Sequence, residues 1–171
     1  MGNKVSSEKC IRGAIADMRT NRRSEAVQAR GCRTLFENSL EFTHIVCAEG
    51  GISSIVQAMT QLLYVENVQV NGCGTLSNLA ISEEPRKVVV SQGGVAAILQ
   101  AMLQFPNSEN VNGYGCGALA RLVISEESRK VVVSQGGVAA ILQAMRQFPN
   151  SENVNRYDCM ALAMLAISEE S

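Results

Sequence analysis

Few side chains of this 171-residue chain have types and spacing that could support catalysis. The single histidine, His44, has no second histidine to pair with, and no CxxC pair is present, so a zinc site is not expected. Paired acids recur at 83–84, 126–127 and 169–170, where they favour helix starts. Adjacent residues point in different directions on a helix, which suits an acid–base pair poorly. We therefore expect no enzymatic activity, no metal and no cofactor.

The cysteines are the next candidates for chemistry, and their spacing is regular. Cys73, Cys116 and Cys159 lie 43 residues apart, and Cys32 fits the same position in a shorter first unit. Repetition of one position predicts small, buried, structural cysteines in preference to a disulfide framework, a redox pair or a metal site. Free thiols are typical of a reducing compartment, so we expect a cytoplasmic protein.

The same spacing appears in the whole sequence. The stretch 81–112 matches 124–155 at 30 of 32 positions; only Pro85/Ser128 and Leu103/Arg146 differ. A period between 20 and 50 residues indicates a solenoid or repeat array. Hydrophobic residues make up 46% of the chain but aromatic residues only 4%, which favours closely stacked helices over a β-sandwich.

The pattern within one unit predicts three helices. The segment 85–92 reads as a short helix beginning at Pro85, and Gly93-Gly94 breaks the chain after it. Apolar residues follow at i, i+3, i+4 and i+7 from Val95 to Met102, the stripe of a second helix. A turn at Pro106 separates it from a longer third helix, which Asn107 or Ser108 can cap.

The repeats divide the chain into four units after a short N-terminal segment. We predict a flexible segment at 1–8, unit 1 at 9–49, unit 2 at 50–92, unit 3 at 93–135 and unit 4 at 136–171. Unit 1 is the most polar, as suits a terminal cap. The last face of unit 4 stays apolar at Met160, Met164 and Leu165, so the chain is either a truncated array or covered there by another copy.

Glycines inside the predicted third helices need an explanation, because each costs about 0.5–1 kcal/mol relative to alanine. They lie at Gly72 and Gly74 and again at Gly113, Gly115 and Gly117. Close packing of helix backbones is our interpretation. A phosphate-binding loop is the alternative, but its strand–loop–helix context is missing.

These features resemble armadillo repeats: a period near 42, three helices, the Gly-Gly break and a third helix reading GCGTLSNLAIS at 72–82. The units are similar to the armadillo region of leucine-rich-repeat kinases and to related protist arrays, from about residue 9 onward. The resemblance implies an all-α fold, a right-handed α-solenoid superhelix of about four armadillo repeats. Import-type repeats pair a Trp with an Asn four residues later, but here Gly74 precedes Asn78, which argues against nuclear-import cargo.

The resemblance also implies a concave groove lined by the third helices. Asparagine can hydrogen-bond the backbone of an extended peptide, and Tyr and Arg often carry binding energy at interfaces. The alternative is a solvated, unoccupied face. The predicted groove residues are Arg33, Glu37, Asn71, Asn78, Asn110, Tyr114, Arg121, Asn153, Tyr157 and Met164, with Arg30 and Asn67 as neighbours.

The N-terminus carries a separate signal. Residues 1–6 fit the pattern M-G-x-x-x-[ST], which predicts N-myristoylation at Gly2. A single acyl chain binds membranes weakly, so a second attraction to anionic lipid is needed. Six basic residues are expected to supply it: Lys4, Lys9, Arg12, Arg19, Arg22 and Arg23. The plain alternative is a soluble, frayed start.

Taken as a whole, the sequence predicts a non-catalytic, protein-binding scaffold or adaptor. Its expected partner is a protein or extended peptide, not a nucleic acid, because the net charge is only -1. Two alternatives remain open: a myristoylated peripheral membrane tether, and a fragment of a larger signalling protein. Self-association through the apolar face of unit 4 is a further expectation.

Overall fold

The computed structural model describes residues 2–166, and within them the chain forms eleven α-helices and no β-strand. The helices are α1 (Gly2–Thr20), α2 (Glu25–Asn38), α3 (Thr43–Ala48), α4 (Gly51–Gln61), α5 (Glu66–Leu79), α6 (Glu83–Ser91), α7 (Gly94–Gln104), α8 (Glu109–Leu122), α9 (Glu126–Ser134), α10 (Gly137–Gln147) and α11 (Glu152–Ala166).

The helices stack in layers along the repeat. The third helices α2, α5, α8 and α11 lie side by side in one layer, and α1, α4, α7 and α10 form a second layer behind them. The short helices α3, α6 and α9 connect successive units. This arrangement confirms the predicted all-α solenoid, in which each unit packs on its neighbours.

The Gly-Gly pairs form the predicted breaks. Gly50, Gly93 and Gly136 have φ of 68, 81 and 88°, a left-handed conformation that only glycine adopts without strain. The second glycine of each pair allows close approach. A Cβ on Gly94 would lie 2.7 Å from the carbonyl oxygen of Val89, so a side chain there would collide with backbone.

An amide side chain, buried in units 1–3 and half-buried in unit 4, closes the turn between the second and third helix of each unit. Gln69 Nε2 donates to the carbonyls of Met59 and Leu62, at 3.0 and 2.9 Å. Its counterparts in the other units also donate to carbonyls of the preceding helix end or turn; they are Gln28, Asn112 and Asn155. Each unit therefore repeats this hydrogen bond as well as the apolar stripe. Hydrophobic periodicity reveals the stripe but not the hydrogen bond.

The glycines of the third helices support the packing interpretation. A Cβ on Gly31, Gly72 or Gly115 would lie 2.4–2.7 Å from the side chain of the last methionine of the helix before it. Gly113 differs, because its nearest neighbour would be 3.8 Å away. Helix α8 runs unbroken through all three of its glycines, so they form no phosphate-binding loop.

Three local predictions differ from the structure. Helix α6 begins at Glu83 after the cap residue Ser82, two residues before Pro85, since proline fits the first turn of a helix. Residues 2–8, for which a flexible segment is predicted, form the first turns of α1. Cys159 is exposed although its counterparts in units 1–3 are buried, because no fifth unit lies over unit 4 in residues 2–166.

Candidate binding groove

Two cavities open along the layer of third helices. One, of about 470 Å³, lies between α2 and α5 and is lined in part by Arg30, Arg33, Asn67 and Asn71. The other, of about 160 Å³, lies between α8 and α11, and the residues that line it are Glu109, Asn110, Gly113, Tyr114, Asn153 and Tyr157. Eight of the twelve predicted groove residues and neighbours therefore line the same side of the solenoid.

An aromatic contact spans the same layer of third helices, from α2 to α8. The rings of Phe36 and Tyr114 meet edge to face, with centroids 5.1 Å apart, although they come from units 1 and 3. They can meet because Gly74 on the intervening helix has no side chain; a Cβ there would lie 2.5 Å from the Phe36 ring. The glycine that replaces the import-type Trp thus leaves room for aromatic side chains from both neighbours.

A second set of contacts repeats this arrangement one unit further along. The Tyr157 ring lies beside Gly117, whose Cβ would be 3.3 Å from it, and the Arg121 guanidinium lies 5.2 Å from the ring centroid. Arg121 also donates to the Ser77 hydroxyl and, at 3.5 Å, to the Tyr157 hydroxyl. Arg121 therefore links units 2, 3 and 4, and the Tyr157 ring is held in place.

Some predicted groove residues are already engaged within the chain. Asn78 Nδ2 donates to Ser39 Oγ at 2.9 Å, across the boundary between units 1 and 2. Arg33 and Glu37 form an exposed ion pair at 2.8 Å. Met164 is half-buried on α11, whereas Asn110 and Asn153 are exposed at the cavity rim. The side-chain amides of Asn110 and Asn153 are therefore accessible to the backbone of a bound ligand.

Asp158, a buried carboxyl group on α11, is not among the residues predicted from the sequence. It is fully buried, and neither carboxylate oxygen has a hydrogen-bond partner among the described residues. Burial raises the pKa of Asp158 from 3.8 to about 6. The Cys116 thiol faces the carboxyl group without hydrogen-bond geometry. Asp158 holds the position of Gly115 one unit later, so aligning the units would have found it.

The buried cysteines are poor nucleophiles. Burial raises the pKa of Cys32 and of Cys73 to about 12, and it raises the pKa of Cys116 still further, with Asp158 contributing. A thiol attacks as its thiolate, so these three groups are unreactive at neutral pH. Within residues 2–166, no three His, Cys, Asp or Glu side chains come together as a metal site would require.

The basic N-terminus is only partly available to a membrane. Gly2 is the first residue of α1, and Lys4 and Lys9 are exposed along it. Arg12 instead pairs with the Glu49 carboxylate, and Arg19 donates to the Glu49 carbonyl. In the part of the chain that the structure covers, no helix combines the length and hydropathy needed to cross a bilayer.

Comparison with known proteins supports the repeat assignment. Residues 91–171 match the family described as LRRK2 ARM repeat. The fold is similar to the crystal structure of an engineered protein, a Northeast Structural Genomics Consortium target, with a TM-score of 0.76 and 22% identity over 91% of this chain. This chain spans 62% of the length of that structure, and the likeness concerns the fold alone. No curated protein matches the sequence.

Proposed function

We propose that this chain, an all-helical repeat stack whose residues 91–171 match the family described as LRRK2 ARM repeat, is a non-catalytic scaffold whose concave groove binds an extended segment of another protein. The observation that carries the proposal is the pair of cavities on one side of the third-helix layer. Helical repeats of this kind use extended concave surfaces for binding. A cytoplasmic location belongs to the same proposal.

The chemistry of the cavities suits an extended peptide. Asn110 and Asn153 occupy the same position in successive units, so their amides can donate to and accept from a peptide backbone at a regular spacing. Tyr114 and Tyr157 supply flat apolar surfaces beside them, with two rotatable angles each and little entropy to lose. Hydrogen bonds from the asparagines to the peptide backbone would hold the segment in place. Contacts with the tyrosine rings would favour particular side chains of the peptide.

The tyrosines are also preorganised. Tyr114 is held by Phe36, and Tyr157 by Arg121, before any ligand arrives. Side chains that are already ordered lose less conformational entropy on binding, so more of the contact energy appears as affinity. The end of the groove at units 1 and 2 presents Arg30 and Arg33 instead, which makes the two cavities chemically distinct.

The test is selection of binding peptides from a random library displayed against the full chain. Peptides that bind the groove should lose affinity for a double variant, Asn110→Ala with Asn153→Ala, because both exposed amides are then removed. These positions are preferable to Asn78 and Arg121, whose side chains hold neighbouring units together. Circular dichroism checks that the variant keeps its helix content.

The matched control changes two exposed amides in the other layer, Gln100→Ala with Gln143→Ala. It should bind the selected peptides as the unchanged chain does. Selected peptides that bind the asparagine variant and the control equally would place the binding surface elsewhere. A selection that enriches no peptide would count against the scaffold proposal itself.

A second candidate function, attachment to a membrane surface, rests on the N-terminal pattern and on exposed Lys4 and Lys9 at the start of α1. Acylation of Gly2 would add the apolar anchor that two lysines alone cannot provide. Mass spectrometry of the protein from its own cells tests this directly. A myristoyl mass that disappears in Gly2→Ala supports attachment, and an unmodified N-terminus removes it.

A further inference from the structure

Asp158 is a buried carboxyl group whose ionisation the fold does not accommodate. Among the described residues it is the only acid that is fully buried, and no hydrogen bond reaches either of its oxygens. Buried polar groups in proteins are nearly always paired, so an orphaned acid is unusual. A neutral carboxylic acid costs far less to bury than a carboxylate, because the charge loses its hydration. The packing around Asp158 therefore fits the protonated form.

The surroundings of Asp158 are apolar. It occupies the position of Gly115 one unit earlier, where a Cβ would lie 2.7 Å from the Met102 sulfur and 3.6 Å from the Ile98 side chain. The corresponding residues of α10 are again a methionine and an isoleucine. From α8, the Cys116 thiol faces the carboxyl group. None of these neighbours stabilises a negative charge.

No charge on the neighbouring helices compensates an ionised Asp158. Within residues 2–166, the charged residues of α8, α10 and α11 form no ion pair or hydrogen bond with it; they are Glu109, Arg121, Arg146, Glu152 and Arg156. Arg121 donates to Ser77 and Tyr157 instead. A carboxylate at this position can gain hydration only if α11 moves away from α8 and admits water.

Movement of α11 alters the groove, because this helix carries both the acid and part of the cavity wall. Asn153 and Tyr157 line the cavity between α8 and α11, and Tyr157 directly precedes Asp158. Helix α11 packs mainly against α8 and α10. Elements with few packed neighbours open locally at a lower free-energy cost than the rest of a fold. Ionisation of Asp158 therefore acts first on α11.

We propose that protonation of Asp158 controls the groove: the neutral acid keeps α11 packed on α8, whereas the carboxylate loosens α11 and reshapes the cavity that Asn153 and Tyr157 line. A segment bound in this cavity favours the packed form, so its affinity falls as the pH rises. The effect on affinity rests on the proposed function, whereas the loosening of α11 does not.

The direction and size of the effect follow from the two states of the helix. The pKa of Asp158 is about 6 when the group is buried, against an ordinary value of 3.8. The packed form therefore gains relative stability as the pH falls through this range. Since each pKa unit is a factor of ten, the equilibrium between packed and loosened α11 shifts by up to about 100-fold between pH 4 and pH 7.

The test is hydrogen exchange of the full chain from pH 4 to pH 7, corrected for intrinsic exchange rates and measured by mass spectrometry. Protection of α11 relative to α4 should fall by up to about 100-fold over this range, most of it below about pH 6. Asp158→Asn cannot titrate and should show no such fall. Asp158→Gly, which restores the residue of units 1–3, serves the same purpose if the asparagine variant does not fold.

The matched control is Glu152→Gln, which removes an exposed carboxyl group from the same helix. It should keep the full pH dependence of the unchanged chain. His44 is exposed on α3 and remains in every variant, so it causes no difference between them. Equal pH dependence in the unchanged chain and in Asp158→Asn would overturn the proposal. Protection of α11 that stays constant from pH 4 to pH 7 would also overturn it.

A second measurement follows the cavity without a ligand. In NMR spectra of the chain with carbon-13-labelled tyrosines, the ring signals of Tyr157 should move over the same pH range, and Asp158→Asn should abolish the movement. Tyr64 is 78% exposed and does not line the cavity, so its signals serve as the reference. Tyr157 signals that stay constant while α11 loosens would overturn the link to the groove.

Peptides selected against the full chain at pH 5 provide the ligand measurement. Their affinity for the unchanged chain should be lower at pH 7 than at pH 5 by up to about tenfold, and Asp158→Asn should bind them equally at both pH values. Equal affinity of the unchanged chain at both pH values would overturn the effect on binding. A selection that enriches no peptide counts against the proposed function, while exchange and NMR still decide whether Asp158 controls α11.

Discussion

Units 3 and 4 have nearly the same sequence but different surroundings. Leu119 and Cys116 of unit 3 are fully buried, whereas Leu162 is half-buried and Cys159 exposed. The difference comes from the neighbours, because within residues 2–166 unit 3 is packed on both sides and unit 4 on one side. Burial in a repeat protein therefore depends on the neighbouring units. Two units with the same sequence can contribute differently to the free energy of unfolding.

The largest expected effect is a difference between equivalent leucines. Leu119→Ala should lower the free energy of unfolding by about 2–5 kcal/mol, since it leaves a cavity in a fully buried site. Leu162→Ala should cost less than half of that, because its side chain is already partly in water. Chemical denaturation of both variants measures the difference. Equal losses would show that unit 4 is covered in solution.

Asp158 offers a second test of unit 4. Its pKa is raised in the folded state, to about 6, so the folded chain keeps the proton that the unfolded chain has lost. This cost to stability is absent below about pH 4, grows between about pH 4 and 6 and is then constant. Asp158→Gly, which restores the residue of units 1–3, should stabilise the protein at pH 7 by about 1–3 kcal/mol.

The control for this prediction is Asp158→Asn, which keeps a buried polar group but cannot titrate. It should remove the fall in stability between about pH 4 and 6 and should recover less stability than the glycine does. Denaturant midpoints across that range measure the profile for all three proteins. The same slope in all three would show that Asp158 is solvated and that another group titrates.

The glycines of the third helices should respond in opposite directions. Gly74→Ala should destabilise by about 1–3 kcal/mol, because its Cβ would collide with the Phe36 ring. Gly113→Ala should stabilise by about 0.5–1 kcal/mol, since space is available and alanine favours the helix. Thermal melting of the two variants compares them. A loss at Gly113 as large as that at Gly74 would contradict the packing account.

The smallest expected difference concerns two helix caps. Ser125 Oγ accepts from the Ser128 amide at 3.3 Å, but Ser82 has no such bond because Pro85 lacks an amide hydrogen. Ser125→Ala should therefore cost about 1 kcal/mol, and Ser82→Ala close to nothing. Denaturant midpoints of the two variants measure this difference. A larger loss at Ser82 than at Ser125 would show that capping does not explain the pair.

Much of the fold could be predicted because the same sequence pattern recurs in each unit. The 43-residue period, the positive φ of Gly93 and the cap at Ser108 all follow from local sequence, and the structure agrees. The sequence predicts that α6 begins at Pro85, but the helix begins two residues earlier, at Glu83. Proline fits elsewhere in the first turn of a helix as well as at its first residue.

The groove was harder to predict, because its contacts cross unit boundaries. The ring of Phe36 reaches Tyr114 two units away, and Arg121 reaches Ser77 and Tyr157. Periodicity places each of these residues on a helix face but does not show which residue fills the space that a glycine leaves. Cys159 shows the same limit. Its position in the repeat predicts burial, but it is exposed because no further unit lies over α11 in the described part of the chain.

The most direct test of this account is alkylation of Cys116 and Cys159 in the folded full chain, followed by peptide mass spectrometry. The two residues hold the same position in successive units and differ only in what covers them. We expect rapid modification of Cys159 and protection of Cys116 until the chain unfolds. Equal rates would contradict this expectation, either because the surface of unit 4 around Cys159 is covered or because both units open together.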